Sequence, residues 1–200
     1  QFISAFSWIK NRDATDNHML FDRVRGATKD MHSNTTAAEV TNVNTLQRFL
    51  EAGVQVGNDV EVNTANESYV LWNFMAEATG SGTLNEVGTI DSTVLVDTTL
   101  GMSVGTYTGN LSASQTIGHG LGVTPQMVLF KNTSVAGSWV VYHEALGNAQ
   151  MVLLDVADAK QGSAGVWGST SPTSSVLAVS NNASVNGSGN TMMFIAFAPS

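Results

Sequence analysis

Short runs of β-branched and aromatic residues, each bounded by Gly, Asn, Ser or Asp, recur along the whole chain. Such residues suit a pleated, half-buried surface, and the bounding residues favour turns. The pattern predicts strands near 6–11, 19–25, 29–33, 54–57, 69–77, 92–97, 102–108, 114–117, 127–132, 139–146, 150–155, 175–180 and 191–198. Trp139-Val140-Val141-Tyr142 and Met192-Met193-Phe194-Ile195 are nearly continuous apolar runs, which predicts central strands covered on both faces. One segment departs from this pattern. Leu46, Phe49 and Leu50 fall at i, i+3 and i+4, Asn44 can cap, and Gly53 can stop the element. That predicts one short helix near 45–52, marginal at its length unless it packs against something. The fold class expected is all-β, an antiparallel sandwich or jelly roll.

The pattern also repeats itself. Lys10-Asn11 and Lys131-Asn132 each close an apolar run, and the 121-residue offset between them also carries Met19-Leu20-Phe21 onto Val140-Val141-Tyr142 and Gly26 onto Gly147. Farther on the offset becomes 123: Val56 matches Val179, Val62-Asn63 matches Val185-Asn186, and Phe74 matches Phe197. Order and near-constant offset together define an internal repeat. The units expected are 1–78 and 91–200, with a Gly-, Ser- and Thr-rich linker over 79–90, arranged as two sandwiches or one composite sandwich. The second unit is preceded by Gly101–Asn110 and Thr116–Gly122, and the first has no room for equivalents before Phe6. Its leading strands are either lost or supplied from elsewhere.

Composition narrows the functional classes. Only 12% of the 200 residues are charged, about half the usual share of roughly 25%, so Ser, Thr, Asn, Gln and Gly must cover the surface. A net charge of −8 repels a phosphate backbone, which argues against general nucleic-acid binding. The chain has no cysteine, so disulfides and thiolate metal sites are excluded. No apolar run approaches the ~20 residues of a membrane span, and Gln1–Ala5 does not read as a signal peptide.

Candidate chemistry is sparse. Gly118-His119-Gly120-Leu121-Gly122 precedes a strand, so no helix terminus points at a phosphate, and the glycines read as turn formers. His18, His32, His119 and His143 share no metal-ligand spacing. Asp13 and Asp16 with Asn11 and Asn17, and separately Asn58-Asp59, are acidic loops that read as solvated turns rather than calcium sites, since the second unit carries Ser134 and Gly137 where the first has Asp13 and Asp16. Trp8 and Trp72 lie in apolar runs and read as core. Trp167, between Gly165 and Gly168, is the best candidate for an exposed sugar-stacking platform. No catalytic residue, metal ligand or cofactor is expected.

Trp8–Arg12 leading to Leu20–Gly26, Gly118–Val123 leading to Pro125 and Met127–Asn132, and Gly101–Val104 followed by Thr106–Asn110 form a set. Together they resemble a module that recurs in virion proteins of tailed phages, marine ones especially. The resemblance covers nearly the whole chain. It departs at Thr45–Ala52, where a plainer turn is expected, and at the missing leading strands. It implies a non-enzymatic part of a tail fibre or receptor-binding adhesin on a particle surface. Expected partners are other copies of the chain (trimers, by analogy with phage fibres), other virion proteins and a host surface glycan. An architectural role in a capsid or filament is the alternative, because exposed sheet edges invite pairing. A glycan-degrading enzyme on the same scaffold would need two carboxylates facing each other across a groove.

Overall fold

The computed structural model describes residues 3–76 and 80–199. Its strands are β1 (Ile3–Asn11), β2 (Met19–Asp22), β3 (Lys29–His32), β4 (Val40–Thr41), β5 (Leu46–Leu50), β6 (Gly53–Val56), β7 (Tyr69–Ala76), β8 (Thr83–Asn85), β9 (Ser92–Asp97), β10 (Met102–Thr108), β11 (Gln115–Gly118), β12 (Met127–Asn132), β13 (Val140–His143), β14 (Gln150–Leu153), β15 (Gln161–Gly162), β16 (Val176–Val179) and β17 (Thr191–Phe197). Two one-turn helices, α1 (Val60–Asn63) and α2 (Ala183–Asn186), interrupt them. All pairings between named strands are antiparallel, and the fold is an all-β sandwich.

Two large sheets carry the same strand order. The first runs β4-β3-β2-β1-β7, and the second runs β15-β14-β13-β12-β17 and continues into β10-β9-β8. The shared five strands are the repeat in three dimensions, and among the described residues only the second sheet carries three further strands. The faces of the two sheets meet. Phe6, Leu20 and Met31 of the first pack against Leu129, Val141, Met193 and Ile195 of the second. The outer face of the second sheet is covered by the β11–β16 ribbon and by Trp167, and the outer face of the first by the β5–β6 hairpin and α1. Central strands are therefore apolar on both faces. Met192, Phe194 and Ala196 of β17 point into one core and Met193 and Ile195 into the other.

The repeated short motifs hold equivalent turns. Asn11 and Asn132 each accept, through Oδ1, an amide two residues on, from Asp13 and Ser134. Lys10 donates to the Ala14 carbonyl, and Lys131 to the carbonyls of Gly137 and Thr36. Burial pulls the Lys131 ammonium down to about 8, opposed by the nearby charge of Asp155. Val62 and Val185 anchor the one-turn helices in their cores, and Asp59 and Asn182 cap them. Gly26 and Gly147 both take positive φ, which a side chain would oppose.

One expectation is corrected. Residues 46–50 form a strand, not a helix. A bulge between Leu46 and Arg48 turns both Leu46 and Phe49 into the core, so a three-residue spacing that looks helical is satisfied by an irregular strand. The second unit pairs β16 with the preceding β11. In the first unit β6, the counterpart of β16, pairs with β5 instead. Within the stretch expected as a linker, 79–90, β8 pairs with β9 at the edge of the second sheet. The expected boundary at 78–79 lies outside the described residues, as does the last position of the strand expected at 69–77.

Candidate functional site

The equivalent strands β7 and β17 differ in surroundings. β17 lies between β12 and β10, whereas β7 has β1 as its only sheet neighbour among the described residues. An antiparallel strand directs alternate backbone N–H and C=O groups to either side, so an unpaired side is a template for another strand. Leu71 and Trp72 on this edge are 42% and 46% exposed.

Aromatic residues line the edge on the side facing the second sheet. Trp8 lies directly across from Trp72 in the ladder, their rings 5.9 Å apart and edge-on, and Phe6 lies across from Phe74. Trp8, Trp72 and Phe74 line an open apolar groove of about 250 Å³, and among the described residues no carboxylate lines it. Trp8 also borders a second apolar cavity, of about 200 Å³, between Leu20 of the first sheet and Leu129, Val141 and Ile195 of the second. Trp8 is held by its indole nitrogen, which donates to Nδ1 of His18 at 2.9 Å. That bond needs an unprotonated Nδ1. Burial, and then the charge of Lys10, lower the His18 pKa and favour that form.

The tryptophans thus exchange the roles read from the sequence. Trp72 is exposed and Trp8 is half-buried at the groove, whereas Trp167 is 1% exposed. Phe130 and Tyr142 pack on the Trp167 ring, and its nitrogen donates to the Gln150 carbonyl, so it offers no face to a sugar. Gly165 and Gly168 beside it line an open polar depression of about 530 Å³, and the indole does not. Trp72 lies on a strand that, among the described residues, is paired on one side only.

The remaining candidates are structural. His119 is buried. It accepts the Leu121 amide at Nδ1 and so donates from Nε2 to the Thr173 carbonyl, while Gly120 and Gly122 take positive φ in the turn. His143 caps the turn after β13, and His32 stands 3.7 Å from Glu61. Asp13 accepts the Ser68 amide, Asp16 accepts from Asn11, and Asp59 accepts from Asn42 while capping α1. Among the described residues no three His, Asp or Glu side chains converge as metal ligands, and no helix is long and apolar enough to cross a membrane.

Fold and site together define a duplicated β-sandwich module in which, among the described residues, β17 is paired on both sides and its counterpart β7 on one. The chain belongs to the family described as "Domain of unknown function (DUF7483)", whose model matches residues 1–199. No curated protein and no solved structure matches it.

Proposed function

We propose that this chain is a non-enzymatic structural module of a virus particle, and that it works by joining polypeptide chains. The observation that carries the reading is the open β7 edge, bordered by exposed Leu71 and Trp72, in a unit whose internal duplicate has the same edge filled. Sheet edges are common sites for adding a strand from a partner. The resemblance of Leu20–Gly26 and Gly118–Asn132 to phage virion modules supplies the setting. Reconstruction of the particle by electron microscopy tests this: copies joined to neighbours through β7 support it, and copies whose β7 edges all face solvent contradict it.

A second reading rests on the aromatic groove. A half-exposed indole beside a second indole suits an apolar ligand face, and host surface glycans present such faces. In this receptor-binding reading the module lies at a fibre tip. A glycan-binding screen comparing the native chain with Trp72→Ala tests it. Binding that the substitution abolishes favours adhesion, and no binding to any glycan argues against it.

A further inference from the structure

The second unit contains the filled version of the open edge. The offsets of 121 and 123 carry the β1–β7 ladder onto the β12–β17 ladder: Phe6↔Phe74 onto Met127↔Phe197, Trp8↔Trp72 onto Leu129↔Ile195, and Asn11↔Tyr69 onto Asn132↔Met192. On the far side of β17, β10 places Met102 opposite Phe197, Val104 opposite Ile195, Gly105 opposite Phe194 and Tyr107 opposite Met192. Transferred to the first unit, those four positions face Phe74, Trp72, Leu71 and Tyr69.

We infer that β7 accepts an extended segment of a neighbouring polypeptide as an antiparallel strand in the register of β10. The inference deepens the structural reading by naming the partner's chemistry and polarity. The segment carries apolar side chains opposite Phe74 and Trp72, on the side where they close the aromatic groove. Opposite Leu71 stands the counterpart of Gly105, and the Phe194 ring that excludes a Cβ at Gly105 is replaced there by the Leu71 side chain. Beyond it, β10 shows a polar residue and then an aromatic one, Thr106 and Tyr107. The strand must come from an extended segment, because a folded second copy holds its own β10 between β9 and β17. Backbone pairing supplies affinity and the alternating pockets supply selectivity.

The test uses the full chain and a synthetic peptide with the sequence of Gly101–Asn110, read by hydrogen–deuterium exchange. Saturating peptide is expected to slow the outward-facing amides of Tyr69–Phe74 about tenfold or more and to leave β17 unchanged. A peptide N-methylated at alternate residues, which cannot form the ladder, is expected to have no effect. Three results overturn the inference: no slowing at the solubility limit of the peptide, equal slowing by the methylated peptide, or slowing without peptide that rises with protein concentration. The last would mean that two copies pair edge to edge. A particle joined through β7 in which the native peptide still gives no protection would overturn the β10-like partner and leave the structural reading standing.

Discussion

The indole nitrogen of Trp139 donates to the backbone carbonyl of His32 at 2.8 Å, joining the second unit to the first. Trp139 is fully buried between the two large sheets. Around it the Glu39 amide donates to the Thr133 carbonyl and the Gly137 amide to the Thr36 carbonyl. The two units therefore share one core and are expected to unfold in a single transition. Trp139→Phe removes the donor and leaves the His32 carbonyl unpaired in the core, at a cost of about 1–3 kcal/mol. Urea denaturation followed by fluorescence and circular dichroism checks both points. Two separated transitions in the native chain would contradict the shared core.

Asp30, on β3 and 4% exposed, has its carboxyl pushed up to about 6. Burial is the main cause; Glu61 and Asp59 add to it, while His32 and Arg25 oppose it. The folded state thus holds this proton to higher pH than the unfolded chain, where the ordinary value is 3.8. The contribution to stability is present at low pH and is lost as pH rises from about 4 to 6. Asp30→Asn removes that dependence. Its stability relative to the native chain is expected to climb by about 2 kcal/mol across this window and then level off. Denaturant titrations of both proteins from pH 4 to 7 measure the difference.

Gly105 leaves room for an aromatic ring. A Cβ there would lie 2.6 Å from Phe194 Cζ and 2.9 Å from Val94 Cγ1, inside a packed sheet. Gly105→Ala is expected to destabilise by about 1–3 kcal/mol through overpacking, and Gly105→Val by more. A lowered denaturation midpoint with unchanged slope is the expected readout.

The segment Phe21–Gly26 turns on a buried ion pair. Arg25 bonds Asp22, Glu39 and the carbonyls of Leu20 and Lys29, and neither Arg25 nor Asp22 reaches solvent appreciably. Arg25→Met strands the Asp22 carboxylate and is expected to cost about 3–5 kcal/mol. Asp22→Asn added to Arg25→Met should recover part of that loss, and thermal melts of the single and double variants check the coupling.

The strand pattern was legible because each buried strand is a local apolar run. The repeat was legible because Lys10 and Lys131, and Asn11 and Asn132, do the same local work in turns, and the structure adds Asp59 and Asn182 as equivalent caps. What escaped the sequence depends on distant neighbours. The β5 bulge gives Leu46 and Phe49 a helix-like spacing, and β6 selects the strand by pairing with it. Trp167 sits among glycines and serines, yet Phe130 and Tyr142 arrive from other strands to cover it. Trp72 sits in an apolar run, yet it is exposed because, among the described residues, no strand lies beyond β7. Only the sheet order shows that β7 is an edge strand whereas its counterpart β17 is not.

The most direct measurement is amide exchange on the isolated chain at low concentration, comparing β7 with β17. All amides of Met192–Ile195 are expected to be protected to nearly the stability of the whole domain, because that strand is paired on both sides. In Tyr69–Phe74, every second amide should exchange orders of magnitude faster, because one side of the strand is unpaired. Uniform protection along β7 in a monomer would mean that the edge is already covered, and would contradict an account in which the first unit is completed by a neighbour.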